Sequence, residues 1–332
     1  MNEMNRTPLL EVRDLVVRYP IRGLSKREIH AVDCVSFTVH RGETLGLVGE
    51  SGCGKTTVAR QIVALERPTA GQVLFDGTDI STLRERELRA LRPRIQMVFQ
   101  DNDSSLNPRR RVRELLCAPM LYHGLVDRKD GAALERRLGE LMDMVELPRE
   151  ALDRYPHQFS GGQRQRIGIA KALSLAPQLL VCDEPVSALD VSIQAQILQL
   201  LRSLQRDLGL SMLFIGHGLP TVRYISDRVA VMYMGQLVEL APSDALFDRP
   251  LHPYTRALCN AVPLADPTAR DFTAHVLGGE VGSNMTPPTG CRFHPRCPVA
   301  RECCKDMSLN VSLHTVEDGH SVACPYAQER GG

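Results

Sequence analysis

The sequence predicts an α/β protein built around a parallel β-sheet, and two observations carry this prediction. Four short runs are almost entirely apolar and stop abruptly at polar or glycine residues: TLGLVGE, IQMVFQD, LLVCDEP and MLFIGHG. Such runs are typical of parallel strands that are covered on both faces. The first run also leads into a glycine-rich loop, GESGCGKTT, which a helical pattern follows. A strand, a glycine-rich loop and a helix in this order are typical of an open α/β sheet.

Composition and charge narrow the class of protein. The chain has 332 residues, of which 43% are hydrophobic and 24% charged, and this is enough for two domains with a full core. Forty Lys and Arg residues balance 39 Asp and Glu residues, so we expect no direct nucleic-acid partner. The N-terminal residues do not resemble a signal peptide, and no uncharged apolar run approaches the roughly 18 residues that span a bilayer. We therefore expect a cytosolic protein with reduced thiols.

The glycine-rich loop predicts a phosphate-binding site. It fits the pattern G-x-x-x-x-G-K-[ST], in which glycines let backbone N–H groups point at phosphate oxygens. Lys55 is expected to neutralise the β and γ phosphates, and Thr56 to supply a hydroxyl ligand to Mg²⁺. The residues predicted to bind the nucleotide here are Gly49, Ser51, Gly52, Cys53, Gly54, Lys55, Thr56 and Thr57.

The other three apolar runs end at residues that suit a reaction on phosphate. Asp183 is expected to hold Mg²⁺, and Glu184 to accept a proton from an attacking water, because adjacent residues of an extended segment point in different directions. Ligands of open α/β sheets bind outside the carboxyl ends of the strands. We therefore expect Lys55, Gln100, Glu184 and His217 to converge at one sheet edge.

A second anion-binding helix start is predicted at FSGGQ. Ser160 and Gln163 have the spacing of a capping box, and a helical pattern continues after them. A cap alone does not need glycines, whereas Gly161 and Gly162 expose backbone N–H groups to an anion. This helix end is expected to meet the nucleotide from another face or another subunit.

These motifs resemble the ABC ATPase family over most of the chain. GESGCGKTT is similar to its Walker A loop, FSGGQ to its signature, LLVCDEP to its Walker B strand and SALD to its D-loop, while Gln100 and His217 match its Q-loop glutamine and switch histidine. Tyr19 matches the aromatic residue that stacks on adenine. One departure is that Gly218 follows His217, where relatives usually carry an acidic residue.

The resemblance implies a fold, a domain organisation and a mechanism. The fold is a P-loop NTPase with a RecA-like parallel-sheet core and an N-terminal antiparallel β subdomain. Residues 1–240 form the ATPase domain, with a helical insertion at about 101–175, and 241–332 form a small Cys-rich extension. Gln100 joins Thr56 and Asp183 at Mg²⁺, Glu184 is the general base and His217 contacts the γ phosphate. Ser160 and Gly162 close on ATP from a partner subunit.

The sequences of several segments are similar to those of the ATPase subunits of bacterial oligopeptide and dipeptide uptake systems. These segments include VGESGCGKTT, VFQDNDSSLNPR, LHPYTRALCNAVP and CRFHPRCP. The resemblance implies peptide import at the cytoplasmic face of the inner membrane. It also implies a paralogous second ATPase, two transmembrane permeases and an extracytoplasmic solute-binding protein. The alternative is a non-transport ABC ATPase that acts on the ribosome or DNA.

The C-terminal cysteines predict a further site. Cys291, Cys297, Cys304 and Cys324 are separated by five, six and nineteen residues, whereas structural zinc ligands are usually paired at about two to four. Some members of the resembled group carry a [4Fe–4S] cluster at this pattern, and that register selects Cys304 over Cys303. Zinc with mixed ligands stays open because His294, His314 and His320 lie nearby. Buried thiols without a ligand are the third possibility.

Overall fold

The structure is a computed structural model, and it describes residues 7–21, 28–100, 106–261, 282–306, 311–317 and 319–327. The chain forms two compact units, each made of several segments. The first unit comprises Met1–Leu9, Val39–Thr44 and Thr82–Ile215. The second unit comprises Leu10–Thr38, Leu45–Ser81 and Gly216–Gly332.

The elements alternate between strand and helix along much of the chain. The strands are β1 Pro8–Pro20, β2 Glu28–His40, β3 Thr44–Val48, β4 Ala70–Phe75, β5 Thr78–Asp79, β6 Ile95–Val98, β7 Leu179–Asp183, β8 Ser211–Gly216, β9 Arg228–Tyr233, β10 Gln236–Pro242, β11 His314–Glu317 and β12 His320–Val322. The helices are α1 Lys55–Ile62, α2 Glu85–Leu91, α3 Val112–Tyr122, α4 Gly131–Met144, α5 Gly161–Leu173, α6 Val191–Leu208, α7 Leu219–Ile225, α8 Ser243–Asp248 and α9 Pro253–Asn260.

The first unit contains the predicted parallel strands β6, β7 and β8. Ile95 of β6 pairs with Leu179 of β7, which pairs with Ser211 of β8, and both pairings are parallel. All residues of β7 and β8 are buried, as expected for strands covered on both faces. Helix α5 packs against β6 and against α3, α4 and α6. The prediction of a helical insertion is consistent with α3 to α5, although residues 101–105 lie outside the described ones.

The second unit contains two sheets. One has the order β2-β1-β4-β5, in which β4 runs antiparallel to β1 and β5. In the other, β3 is parallel to β9, and β9, β10, β12 and β11 pair in turn as antiparallel neighbours. Strand β10 runs across residue 240, between β9 and β12. The domain boundary at about 240 stays a prediction.

One element boundary differs from the one that the sequence pattern indicated. Helix α1 begins at Lys55, within the motif GESGCGKTT and not after it, since the Gly54 carbonyl already accepts the first helical hydrogen bond from the Val58 N–H at 3.0 Å. Within the described part of the chain, no helix is long and apolar enough to cross a membrane.

Candidate functional site

The glycine-rich loop that is predicted to bind phosphate lies between β3 and α1, and glycine is required at both of its ends. A Cβ atom on Gly49 would lie 2.1 Å from the Met232 carbonyl oxygen. Gly54 has φ +109°, and a Cβ atom there would lie 2.3 Å from the Ala31 carbonyl oxygen. Because both obstacles are backbone atoms, no side chain fits at either position. The pattern G-x-x-x-x-G therefore has a physical cause in the fold, because the backbone packed against both glycines leaves no room for a side chain.

Lys55 is buried inside this loop. Its Nζ donates to the Gly49 carbonyl at 2.7 Å and to the Glu50 carbonyl at 3.0 Å. Cys53 lies 3.6 Å from the same ammonium, and burial raises the pKa of its thiol. Cys53 is therefore a small apolar wall of the loop. The loop places one positive charge among backbone groups, which suits a polyanionic ligand.

Tyr19 lies beside the loop, in the second unit. Its hydroxyl donates to the Glu66 carboxylate and also interacts with the Thr57 side chain. Burial, followed by the Glu66 carboxylate, raises the pKa of Tyr19, so its hydroxyl stays protonated at neutral pH. The sequence prediction that Tyr19 serves the nucleotide is compatible with this position and stays a prediction.

Glu50 is a loop residue that the sequence patterns did not single out. Its backbone N–H donates to the Tyr254 hydroxyl at 3.0 Å, and its carboxylate accepts two hydrogen bonds from Arg296 at 2.8 and 3.0 Å. Glu50 occupies a variable position of the motif, so the motif carries no information about it. The only sequence feature that pointed to its partner was Arg296, an arginine between the clustered Cys291 and Cys297.

In the first unit, two side chains that follow β6 and β7 form a hydrogen-bonded pair. Gln100 Nε2 donates to Glu184 Oε2 at 2.9 Å. The Glu184 backbone has φ 46°, and its N–H donates to the Ile215 carbonyl of β8 at 3.0 Å. A non-glycine residue in the left-handed region is uncommon, and such backbone strain is concentrated at functional sites. The neighbouring Asp183 is 2% exposed.

The start of α5 has the capping box that the spacing predicts. The Ser160 hydroxyl accepts from the Gln163 N–H at 3.4 Å, and Gln163 Oε1 accepts from the Ser160 N–H at 3.0 Å. Gly161 is exposed, whereas Gly162 is buried, and a Cβ atom on it would lie 2.5 Å from Cγ2 of Ile193 in α6. Packing of α5 on α6 is thus a further reason for glycine at 162.

The four side chains that are expected to converge are divided between the two units. Gln100 and Glu184 meet in the first unit, whereas Lys55 and His217 belong to the second. His217 is exposed and stands between β8 and α7, with Gly218 at the N-cap of α7. The convergence of all four side chains stays a prediction.

The C-terminal cysteines come together around one small cavity in the second unit. Cys291, Cys297, Cys304 and Cys324 all line it, and its volume of about 20 Å³ holds roughly one water molecule. Burial, followed by the neighbouring thiols, raises the pKa of Cys291 to about 11. Among the residues that the structure describes, no group of three or more metal-ligating side chains is arranged to hold a metal ion.

Only some of the candidate metal ligands line this cavity. Cys303 does not line it, and its thiol instead lies 2.9 Å from the Tyr326 hydroxyl. His294 lines the cavity and donates from Nδ1 to the Cys291 carbonyl at 2.9 Å. His320 pairs with the buried Glu239 at 2.7 Å, and His314 is exposed on β11. Of the three histidines that the sequence offered, His294 alone lines the cavity, so the mixed zinc alternative retains His294.

Comparisons with known proteins agree over almost the whole chain. Residues 32–187 match the model of the ABC transporter family, and residues 238–304 match that of the oligopeptide/dipeptide transporter C-terminal region. A putative peptide import ATP-binding protein of Brucella ovis is 50% identical over 97% of this chain and 98% of its own. The oligopeptide transport ATP-binding protein AppF of Bacillus subtilis is 48% identical over 98% of this chain and 99% of its own.

Solved structures give the same result for the fold. The dimeric structure of the bacterial ABC transporter cassette MJ0796 has a TM-score of 0.64 at 27% identity, and it covers 70% of this chain and 98% of that one. A post-hydrolysis state of the same cassette, bound to ADP and phosphate, also has a TM-score of 0.64. The glycine-bounded loop and the ordered Gln100–Glu184 pair lie within the part of the chain that the ABC transporter model matches. The chain therefore belongs to the ABC transporter family of ATP-binding proteins and is an ABC-type ATPase.

Proposed function

We propose that this chain is the ATP-hydrolysing subunit of an importer for di- or oligopeptides. The observation that carries the proposal is the joint match of an ABC transporter model and an oligopeptide/dipeptide transporter C-terminal model within one chain. The relatives at about half identity are named as peptide import or oligopeptide transport ATP-binding proteins. These names favour import over the ribosome or DNA alternative.

In the proposed site, the second unit binds the triphosphate. Lys55 is proposed to neutralise the β and γ phosphates, and its position among the loop carbonyls of Gly49 and Glu50 supports this proposal. Backbone N–H groups of the loop and of the α1 N-terminus complete the anion site. Tyr19 is proposed to contact the adenine. Thr56 is proposed to hold Mg²⁺ together with Asp183 and Gln100, and the ion supplies charge neutralisation when bound.

Hydrolysis is assigned to the acidic pair of the first unit. Glu184 takes the proton of the attacking water, and Gln100 fixes the orientation of the Glu184 carboxylate through the 2.9 Å hydrogen bond. The Gln100 amide has a separate oxygen for the metal, so one side chain is able to serve both partners. His217 is proposed to contact the γ phosphate. The residue after it is Gly218, so no carboxylate is present next to this histidine in the sequence.

The importer is proposed to assemble from several chains. Ser160, Gly161, Gly162 and Gln163 would close on the ATP bound to a paralogous second ATPase. Two transmembrane permeases would hold both ATPases at the cytoplasmic face of the inner membrane, and an extracytoplasmic protein would deliver the peptide. The exposed N-terminus of α5 and its Ser160 cap support this assignment, because they present backbone donors to an anion.

The four-cysteine cavity is proposed to take a [4Fe–4S] cluster, with zinc as the alternative. The donor set suits the cluster, since four thiols and no carboxylate surround the cavity. The cavity itself has space for only about one water molecule, so the thiols must move outward on loading. Cys291, Cys297, Cys304 and Cys324 would hold the cluster as a structural staple or redox sensor.

Affinity purification of the tagged chain from its native membrane tests the proposed function. We expect two hydrophobic permeases and a second ATPase to co-purify, and peptide with its binding protein to raise ATP hydrolysis by the complex. Unrelated sugars serve as the control solutes. ATPase activity that RNA or DNA stimulates, in a preparation without permeases, would instead support the alternative.

A further inference from the structure

We propose that Arg296, in the cysteine-bearing segment 291–306, is a positioning residue for the phosphate-binding loop and acts through Glu50. Its Nη1 donates to Glu50 Oε2 at 2.8 Å, and its Nη2 donates to Oε1 at 3.0 Å. Two parallel hydrogen bonds fix both the distance and the direction of a carboxylate, which one bond does not. The inference rests on the proposed role of this loop in holding the triphosphate.

The ion pair is protected from solvent. The Arg296 side chain is 6% exposed and the Glu50 side chain 24% exposed. The Glu50 hydrogen bonds raise the pKa of Arg296, so the guanidinium remains charged at neutral pH. The guanidinium also lies 5.9 Å from the centre of the Tyr233 ring, within the range of a cation–π contact. Loss of one partner would leave a partly buried charge uncompensated, so the pair constrains the loop strongly.

Glu50 connects this ion pair to the lysine of the loop. Its carboxylate is held by Arg296, its backbone N–H by the Tyr254 hydroxyl, and its carbonyl by the Lys55 ammonium at 3.0 Å. A shift of the Glu50 side chain therefore moves the peptide unit that holds Lys55. Arg296 therefore acts on the proposed phosphate site indirectly, through Glu50, and does not itself contact the nucleotide.

The cysteine-bearing segment has other contacts with the second unit besides that of Arg296. Arg292 donates to the Asp33 carboxylate and to the Met234 carbonyl. Phe293 is 1% exposed and packs against Tyr233 and Tyr254, with ring centres 5.3 and 5.4 Å apart. These contacts already hold the segment within the second unit. We therefore assign the contact of Arg296 with Glu50 to ordering of the loop.

Binding of a fluorescent ATP analogue with Mg²⁺ to the full-length chain tests the inference. We expect Arg296→Ala to raise the Kd roughly tenfold, because a charge-assisted bidentate pair is lost. Arg296→Lys should recover part of the affinity, since an ammonium makes one of the two hydrogen bonds. Arg249→Ala is the matched control: it removes an exposed ion pair with Glu317 in the same unit and should change the Kd less than twofold.

The outcomes separate positioning from plain stabilisation. If Arg296 only stabilises the fold, Arg296→Ala lowers the melting temperature while the folded fraction binds with wild-type Kd, and that result overturns the inference. Glu50→Gln keeps the shape of the side chain and decides the matter if Arg296→Ala does not fold. We expect it to raise the Kd roughly threefold, whereas a wild-type Kd contradicts the inference. The double variant should bind no more weakly than Arg296→Ala, because the two residues act as one pair. A wild-type chain that fails to bind the analogue refutes the proposed function itself.

Discussion

The two units carry the proposed ATP chemistry in different ways. In the second unit the proposed phosphate-binding loop is built from backbone groups, and Arg296 and Tyr254 hold it through their hydrogen bonds with Glu50. In the first unit the acidic site is built from two side chains, Gln100 and Glu184, which hold each other at 2.9 Å. The geometry of the loop therefore depends on neighbouring side chains that contact it. The geometry of the acidic site depends on Gln100 and Glu184 themselves.

This difference predicts two separate kinds of defect. Changes in the second unit should weaken nucleotide binding, because they disturb the groups that meet the phosphates. Changes at the acidic pair should slow turnover and leave affinity almost intact, because they remove interactions used at the transition state. A variant that breaks this division would show that the two units do not divide the work in this way.

The largest effect on affinity is expected at Lys55. Lys55→Ala removes the buried ammonium that donates to the Gly49 and Glu50 carbonyls. The Kd for ATP with Mg²⁺ should rise roughly 100-fold, because a desolvated charge-assisted contact is lost. Titration calorimetry measures it, with Arg249→Ala as the control. An affinity within threefold of wild type would place the phosphates elsewhere.

A smaller effect, on turnover, is expected at Gln100. Gln100→Ala removes the hydrogen bond that orients Glu184 and should lower kcat roughly tenfold. The Kd for ATP with Mg²⁺ should rise by no more than about threefold, because Thr56 and Asp183 remain as proposed metal ligands. Steady-state phosphate release at saturating ATP measures the change in kcat. The matched control is Gln205→Ala, which loses a hydrogen bond to the Gly42 carbonyl in the same unit. Equal losses in both variants would show that Gln100 has no special role.

The smallest effect on ATP chemistry is expected at the cysteine cavity. Cys304→Ser replaces a thiol that lines the cavity, and Cys303→Ser replaces a neighbour that faces Tyr326 instead. Under the cluster proposal, anaerobically purified wild type and Cys303→Ser should contain on the order of four irons per chain, and Cys304→Ser far fewer. Both variants should retain ATP binding. A colourless wild type with stoichiometric zinc would favour the alternative metal.

Much of the fold was predictable because its determinants are local. The apolar runs that became β6, β7 and β8 are continuous in sequence, and the capping box at Ser160 spans four residues. The glycines of the loop stand in one contiguous motif, and the positive φ of Gly52 and Gly54 favours glycine locally. Local geometry restricts the residue types at such positions, so the sequence alone indicates them.

The supports of the site were not predictable in the same way. Glu50 and Arg296 are 246 positions apart, and neither belongs to a fixed position of a motif. The packing reason for Gly162 depends on Ile193, which lies on another helix. Such pairs are specified by tertiary structure, and a single sequence contains no periodicity that joins them. The convergence of the cysteines around one cavity likewise required the fold.

Glu184→Gln is the sharpest test of the division between binding and hydrolysis, because it changes one carboxylate oxygen of the acidic pair and keeps its shape. ATP affinity and single-turnover hydrolysis should be measured on the same preparation. We expect a Kd within about twofold of wild type and a hydrolysis rate lower by roughly 10² to 10⁴, the usual contribution of a general base. Wild-type hydrolysis, or a loss of binding that matches the loss of turnover, would contradict this division.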